Sequence, residues 1–230
     1  MKKLIDEIYH HRLFSWLFST TVFCLRKNLE DCESVLDLGC GPSSPLQYCK
    51  NVKYSVGVDI FQPYLEESKR RKIHTEYIEK EIEEVDFPQK SFDAVILIEV
   101  LEHLSEEKGY EILKKARKWA RKKILVSTPN GFVFQGERDG NPKQKHLSGW
   151  DLQKMRSLGF RCWGLAGFKF FHQGTESDIP ATESDFTASI RFRPKVFWFT
   201  VAAISQLITY YFPSLAFGLF CVKNIKKVQP

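Results

Sequence analysis

The stretch Val35-Leu36-Asp37-Leu38-Gly39-Cys40-Gly41-Pro42-Ser43-Ser44 decides the fold. An apolar run ends in an acid, turns through two glycines and enters a segment of helical composition at Pro45. Glycine takes positive φ and lets a ligand approach the backbone, so such a turn after a strand marks a place where something can be held. Read as Gly-x-Gly-x-x-Gly, the run lacks its third glycine, because Ser44 stands there. A second acid, Asp59, closes the next apolar run, Ser55-Val56-Gly57-Val58, 20 residues beyond Gly39. An acid at that strand end can hold both hydroxyls of a ribose by charge-assisted hydrogen bonds. Nicotinamide enzymes share that geometry. Asp37 separates the cases, since an anion just before the turn repels a pyrophosphate and suits a ligand carrying an ammonium and a sulfonium.

Working outward, short β-rich runs alternate with charged helical stretches. The runs are 34–38, 54–59, 75–78, 94–98 and 124–127; the stretches between them are 45–50, 63–72 and 106–122. Near-continuous apolar strands alternating with helices predict a mostly parallel sheet covered on both faces. Beyond a loop from Asn130 to Lys145, a helix is predicted over 149–158 with Gly159 as its cap. Strands are predicted over 160–168 and 215–222, and 177–186 reads as a polar loop. The division expected is an N-terminal helical extension (1–33), a core (34–170), an aromatic insertion (171–213) and a final strand with a basic tail (214–230). The extension is marked by Leu4, Ile5, Ile8, Leu13 and Leu17 at helical spacing.

With 230 residues, 43% hydrophobic and 27% charged, the chain suits one globular domain and excludes collagen, coiled coil and general disorder. Its six cysteines form no CxxC pair and no zinc-spaced Cys/His cluster, which predicts free thiols, a reducing cytoplasmic compartment and no metal. The apolar runs 13–25 and 196–212 fall short of a signal peptide and of a membrane span respectively.

The sequence resembles the class I S-adenosylmethionine (SAM) dependent methyltransferases. Asp37-Leu38-Gly39-Cys40-Gly41 is similar to that family's first motif and Gly57-Val58-Asp59 to its second. Phe87-Pro88-Gln89-Lys90-Ser91-Phe92-Asp93 resembles the lead into its fourth strand. Glu99-Val100-Leu101-Glu102-His103-Leu104 resembles the segment after that strand in the small-molecule branch typified by quinone-biosynthesis enzymes. Ser127-Thr128-Pro129-Asn130, His146, Trp150 and Leu158-Gly159-Phe160 continue the match in order. The resemblance implies a Rossmann-like, doubly wound seven-stranded α/β sheet, mostly parallel with an antiparallel last strand.

It also implies roles. Gly39, Cys40 and Gly41 pass under the methionine moiety with Asp37 near its amino group. Asp59, followed by Ile60, holds the ribose; Glu81 accepts from the adenine amino group and Ile82 offers its N–H. Glu79, Glu83 and Glu84 crowd that same loop, and a solvated acidic loop is the plain alternative. Glu99 lines the pocket near the sulfonium. The absence of Asn/Asp-Pro-Pro-Tyr after the fourth strand argues against methylation of base or glutamine amino groups.

Methyl transfer needs positioning and, for a hydroxyl acceptor, removal of a proton. His103, just past the fourth strand, is the first candidate base, since an ordinary imidazole pKa near 6.5 suits the task. His146, at the end of the long loop, is the second; Glu99 completes the catalytic set. The basic run 114–123 reads as a solvated helix end complementing the dipole rather than a nucleic-acid surface. The aromatic run 196–212, flanked by Arg191, Arg193, Lys195 and Lys223, reads as core or lid, with an interfacial membrane contact and a dimer surface as alternatives. The function expected is methyl transfer from SAM to a small, lipophilic acceptor. A SAM-binding module without catalysis is the alternative, and a nicotinamide oxidoreductase is disfavoured by Asp37.

Overall fold

A computed structural model describes residues 18–175 and 185–225. Seven strands form one sheet: β1 (Ser34–Leu38), β2 (Tyr54–Asp59), β3 (Glu76–Glu79), β4 (Phe92–Ile98), β5 (Ala120–Pro129), β6 (Arg161–Phe168) and β7 (Ala216–Asn224). Their order is β3-β2-β1-β4-β5-β7-β6. The pairs from β3 to β5 are parallel, and β7 lies antiparallel between β5 and β6. The chain order therefore reverses between β1 and β4, and a crevice opens there beyond the strand ends.

Alternation along the strands builds a core on each face. Leu36, Val95, Leu97 and Val126 point to one side, where α3 (Glu106–Trp119) contributes Ile112, Ala116 and Trp119. Val35, Ala94, Ile96 and Leu125 point to the other, against Leu25 and Leu29 of α1 (Thr21–Leu29). Burial on both faces is why these strands read as unbroken apolar runs rather than alternating ones. Between β2 and β3 runs α2 (Gln62–Arg70).

Several predicted bounds move for local reasons. The segment after Ser44 is one 3-10 turn, Pro45–Tyr48, not a longer helix; the Ser44 hydroxyl accepts the Leu46 N–H and caps it. The helix predicted to Lys122 stops at Trp119, because Ala120 already pairs with Phe92 at the start of β5. The predicted helix 149–158 shortens to α4 (Leu152–Ser157), N-capped by the Asp151 carboxylate on the Lys154 N–H. The basic run is engaged locally: Lys118 pairs with Asp86 at 3.1 Å and Arg121 with Asp93 at 3.1 Å.

After a short α5 (Asp185–Ala188), the aromatic run folds as α6 (Lys195–Thr209), seated on β6. Gln206 spans both elements, accepting the Gly167 N–H at 2.8 Å and donating to the Gly164 carbonyl at 2.9 Å. Among the described residues no helix is long and apolar enough to cross a membrane. Leu4 to Leu17 and most of the predicted polar loop lie outside the described residues.

Candidate active site

The crevice is built first by backbone. Gly39 and Gly41 have φ of +66° and +58°, and a Cβ on Gly39 would stand 2.7 Å from Val100 Cγ2. Nothing lies within 4 Å of the Cβ position of Gly41, so the turn presents open backbone to the crevice. Asp59 locks it: one carboxylate oxygen accepts the Gly41 N–H and the other the Phe61 N–H, both at 2.9 Å. Burial raises the Asp59 pKa against those two bonds.

Seven of the residues expected to hold a cofactor, Gly39, Gly41, Asp59, Ile60, Glu81, Ile82 and Glu99, line one cavity of about 260 Å³. Asp37 and Cys40 do not line it. Asp37 sits behind the turn, 1% exposed, taking the Ser44 hydroxyl at 2.5 Å, and burial pushes its carboxyl up to about 7. Cys40 is buried against the β2 backbone, its N–H donating to the Val58 carbonyl at 3.0 Å. The far wall comes from a distant part of the sequence. Asn141, Lys143 and Gln144 reach in from the loop after β5, and Lys143 pairs with Glu81 at 2.5 Å. No local pattern announces this, because the contact joins positions 62 residues apart.

Glu99 ends β4 with φ of +55°, a conformation disfavoured for a side chain with a Cβ and found where surrounding structure enforces it. Its backbone N–H donates to the Ser127 carbonyl at 3.0 Å and its carboxylate accepts the Ser127 hydroxyl at 2.6 Å. Its side chain is exposed to the cavities around it, and the surrounding protein raises its pKa. It is common to the cofactor crevice and to a second, polar chamber of about 260 Å³.

That chamber holds Glu102, His103 and His146. His146 arrives because the Glu102 carbonyl accepts the N–H groups of Leu147 and Ser148 at 2.7 and 3.1 Å. The two imidazole rings meet edge to face at 4.8 Å. Each Nδ1 donates to a backbone carbonyl, His103 to Lys145 at 3.3 Å and His146 to Val133 at 2.6 Å. In the neutral ring that leaves each Nε2 with its lone pair. Burial, then the neighbouring His146, pulls the His103 pKa down to about 4, so the expectation of an ordinary imidazole is revised. Burial also lowers His146, against its bond to Val133.

Glu102 lies in the same chamber, in the turn just after β4. It is 1% exposed, and as a carboxylate it accepts no N–H or O–H; Glu99 and Thr128 are its polar neighbours. Burial and the adjacent Glu99 raise its pKa. The ligating atoms of Glu102, His103 and His146 lie within 4.8 Å of one another. Spacing in the sequence gave no metal site; the fold assembles a two-histidine, one-carboxylate set of the type that takes a divalent cation.

Residues 36–125 match the family model described as a methyltransferase domain. No curated protein matches the sequence. The chain is similar in fold to the methyltransferase domain of bacterial CtHen1-C (17% identity, 92% of this chain and 100% of that one, TM-score 0.54). It is similar also to a SAM-dependent methyltransferase from Archaeoglobus fulgidus (18%, 92% and 98%, TM-score 0.50). A third likeness is to the plantazolicin methyltransferase BpumL, solved with S-adenosylhomocysteine (SAH) (12%, 98% and 90%, TM-score 0.53). The stretch 36–125 is thus similar to a methyltransferase domain, and the three solved structures share the fold of this chain.

Proposed function

We propose that the protein transfers the methyl group of SAM to a hydroxyl of a small, lipophilic acceptor. The observation that carries this is the position of Glu99, which borders both the cofactor crevice and the chamber of the two neutral histidines. Gly39 and Gly41 present open backbone, Asp59 a carboxylate, and Ile60 and Ile82 apolar contacts, a set that fits a nucleoside with a charged tail. When bound there, SAM supplies a methyl group already activated on a sulfonium. The chain then needs only to orient the acceptor and take its proton. His103 or His146 receives that proton on Nε2.

A second reading has its own support in the buried Glu102. With a pKa near 4, His103 is a weak base at neutral pH. A divalent cation on Glu102, His103 and His146 would instead lower the acceptor hydroxyl's pKa, while satisfying two buried oxygens. Titration with MnCl2 and ZnCl2 separates the readings. Binding to one site that is lost in Glu102→Gln favours the cation; turnover unaffected by EDTA favours the bare histidines.

The exposed residues of α6 and of the turn after it support peripheral contact with a membrane through 196–212. Val196, Phe197, Tyr211 and Phe212 are each more than half exposed, and the exposed Arg191 and Arg193 precede them. The six buried free thiols favour a reducing compartment. Incubation with methyl-labelled SAM and a lipid extract tests the main reading. Label should enter an organic-soluble product; SAM bound with no label transferred would leave a cofactor-binding module instead. Sedimentation with anionic liposomes tests the contact, which recovery wholly in the supernatant would reject.

A further inference from the structure

Glu99 borders a third cavity, and its walls differ from those of the other two. This chamber, about 320 Å³, lies between α6 and the ends of β6 and β7, with Thr20 and Thr21 at the start of α1 closing one side. Leu165, Phe199, Ala202, Ala203 and Phe217 give it a mostly apolar surface. Two of the polar groups that reach it are already engaged. Gln206 is held by the β6 backbone, and His172 bonds to the Ala166 carbonyl at 2.8 Å and to the Ser189 hydroxyl at 3.0 Å.

The hollow is built rather than a gap in loose packing. β6 breaks its pairing with β7 between Leu165 and Phe168, where Ala166 and Gly167 take φ of +63° and +75°. At Gly167 the helix comes so near that a Cβ would stand 2.1 Å from the Ala202 carbonyl oxygen. There α6 is fastened tightly, with the Ser205 hydroxyl accepting the Phe168 N–H at 2.9 Å. Beside that contact α6 lines the chamber with Phe199, Ala202, Ala203 and Gln206, and the small side chains of the two alanines leave the space open.

The chamber adjoins the polar one, and Glu99, Pro129, Ser189 and Phe217 are common to the walls of both. We infer that the acceptor is an amphiphile. Its hydroxylated head lies in the polar chamber beside Glu102, His103 and His146, and its hydrocarbon tail passes Pro129 and Phe217 into the chamber under α6. This rests on the methyl-transfer reading and adds to it the shape and class of the acceptor. The tail fixes which hydroxyl faces Glu99, since an apolar wall with satisfied polar groups offers a head group nothing.

Binding of n-butyl, n-hexyl and n-octyl β-D-glucoside, below their micelle concentrations and with SAH saturating, tests it by calorimetry. Affinity should rise about fourfold per added methylene. Ala203→Phe should abolish the rise beyond butyl, and Ala203→Leu should blunt it, with SAH affinity unchanged in both. Leu207→Ser, on the exposed outer face of the helix, should keep the full rise. A flat series in the wild type, the same rise in Ala203→Phe, or its loss in Leu207→Ser would overturn the assignment. Failure of SAH itself to bind would instead sink the cofactor reading beneath it.

Discussion

The two halves of the sheet reach their function by different means. On the β1–β2–β4 side the site is made of backbone: two left-handed glycines, a strand-end acid that ties the second of them, and a left-handed Glu99. On the β6–β7 side it is made of packing, with a broken strand, a helix fastened by Gln206 and a hollow left by two alanines. The first is specified by residues close together in sequence. The second exists only when α6, β6 and the start of α1 meet. A cofactor common to many enzymes can be held by the first kind of site, and an acceptor peculiar to one enzyme by the second.

The comparison is broken most forcefully at the boundary. His146→Ala, which leaves the cofactor crevice untouched, should lower turnover by about 10²- to 10⁴-fold. SAH affinity, measured by calorimetry, should stay within about threefold; loss of both together would place His146 in the cofactor half. Asp59→Ala acts on the other side. It removes the ties to Gly41 and Phe61 as well as the carboxylate proposed to hold the ribose, and should weaken SAH binding by about 100-fold or more. Its melting temperature should change far less than its affinity.

Gly167→Ala tests whether the packed half stands apart. The new methyl meets the Ala202 carbonyl at a left-handed position, and should cost about 2–3 kcal/mol by denaturant titration. SAH affinity should hold in the folded fraction. A smaller effect comes from His172, which burial pulls down to about 4 from an ordinary value near 6.5. The unfolded chain binds that proton first, so His172 leaves stability intact above pH 6.5 and erodes it as pH falls toward 4. Relative to its value at pH 7.5, the stability of His172→Gln at pH 5 should gain about 1–2 kcal/mol on the wild type. An unchanged difference between the two pH values would show that the histidine is not buried neutral.

What the sequence shows follows the same division. β1 and β2 carry the bounds predicted for them, and the crevice gathers seven of the expected residues, because glycine turns and strand-end acids act over a few positions. Glu102 escaped notice since nothing in its neighbourhood distinguishes it from an ordinary acid on a helical turn. Its meaning comes from His146, 44 positions on, delivered by the backbone bonds of Leu147 and Ser148. Lys143 over Glu81 is hidden for the same reason. The apolar chamber is least legible of all: Ala202 and Ala203 matter for what they do not fill. Asp37 shows the converse, a motif residue whose carboxyl supports the turn from behind.

A crystal structure with SAH bound tests the central claim most directly. The account predicts the nucleoside between Asp59 and Ile82, the amino-acid portion over the Gly39–Gly41 turn, and the sulfur facing Glu99 and the polar chamber. SAH found elsewhere, or with its sulfur turned away from Glu99, would contradict it.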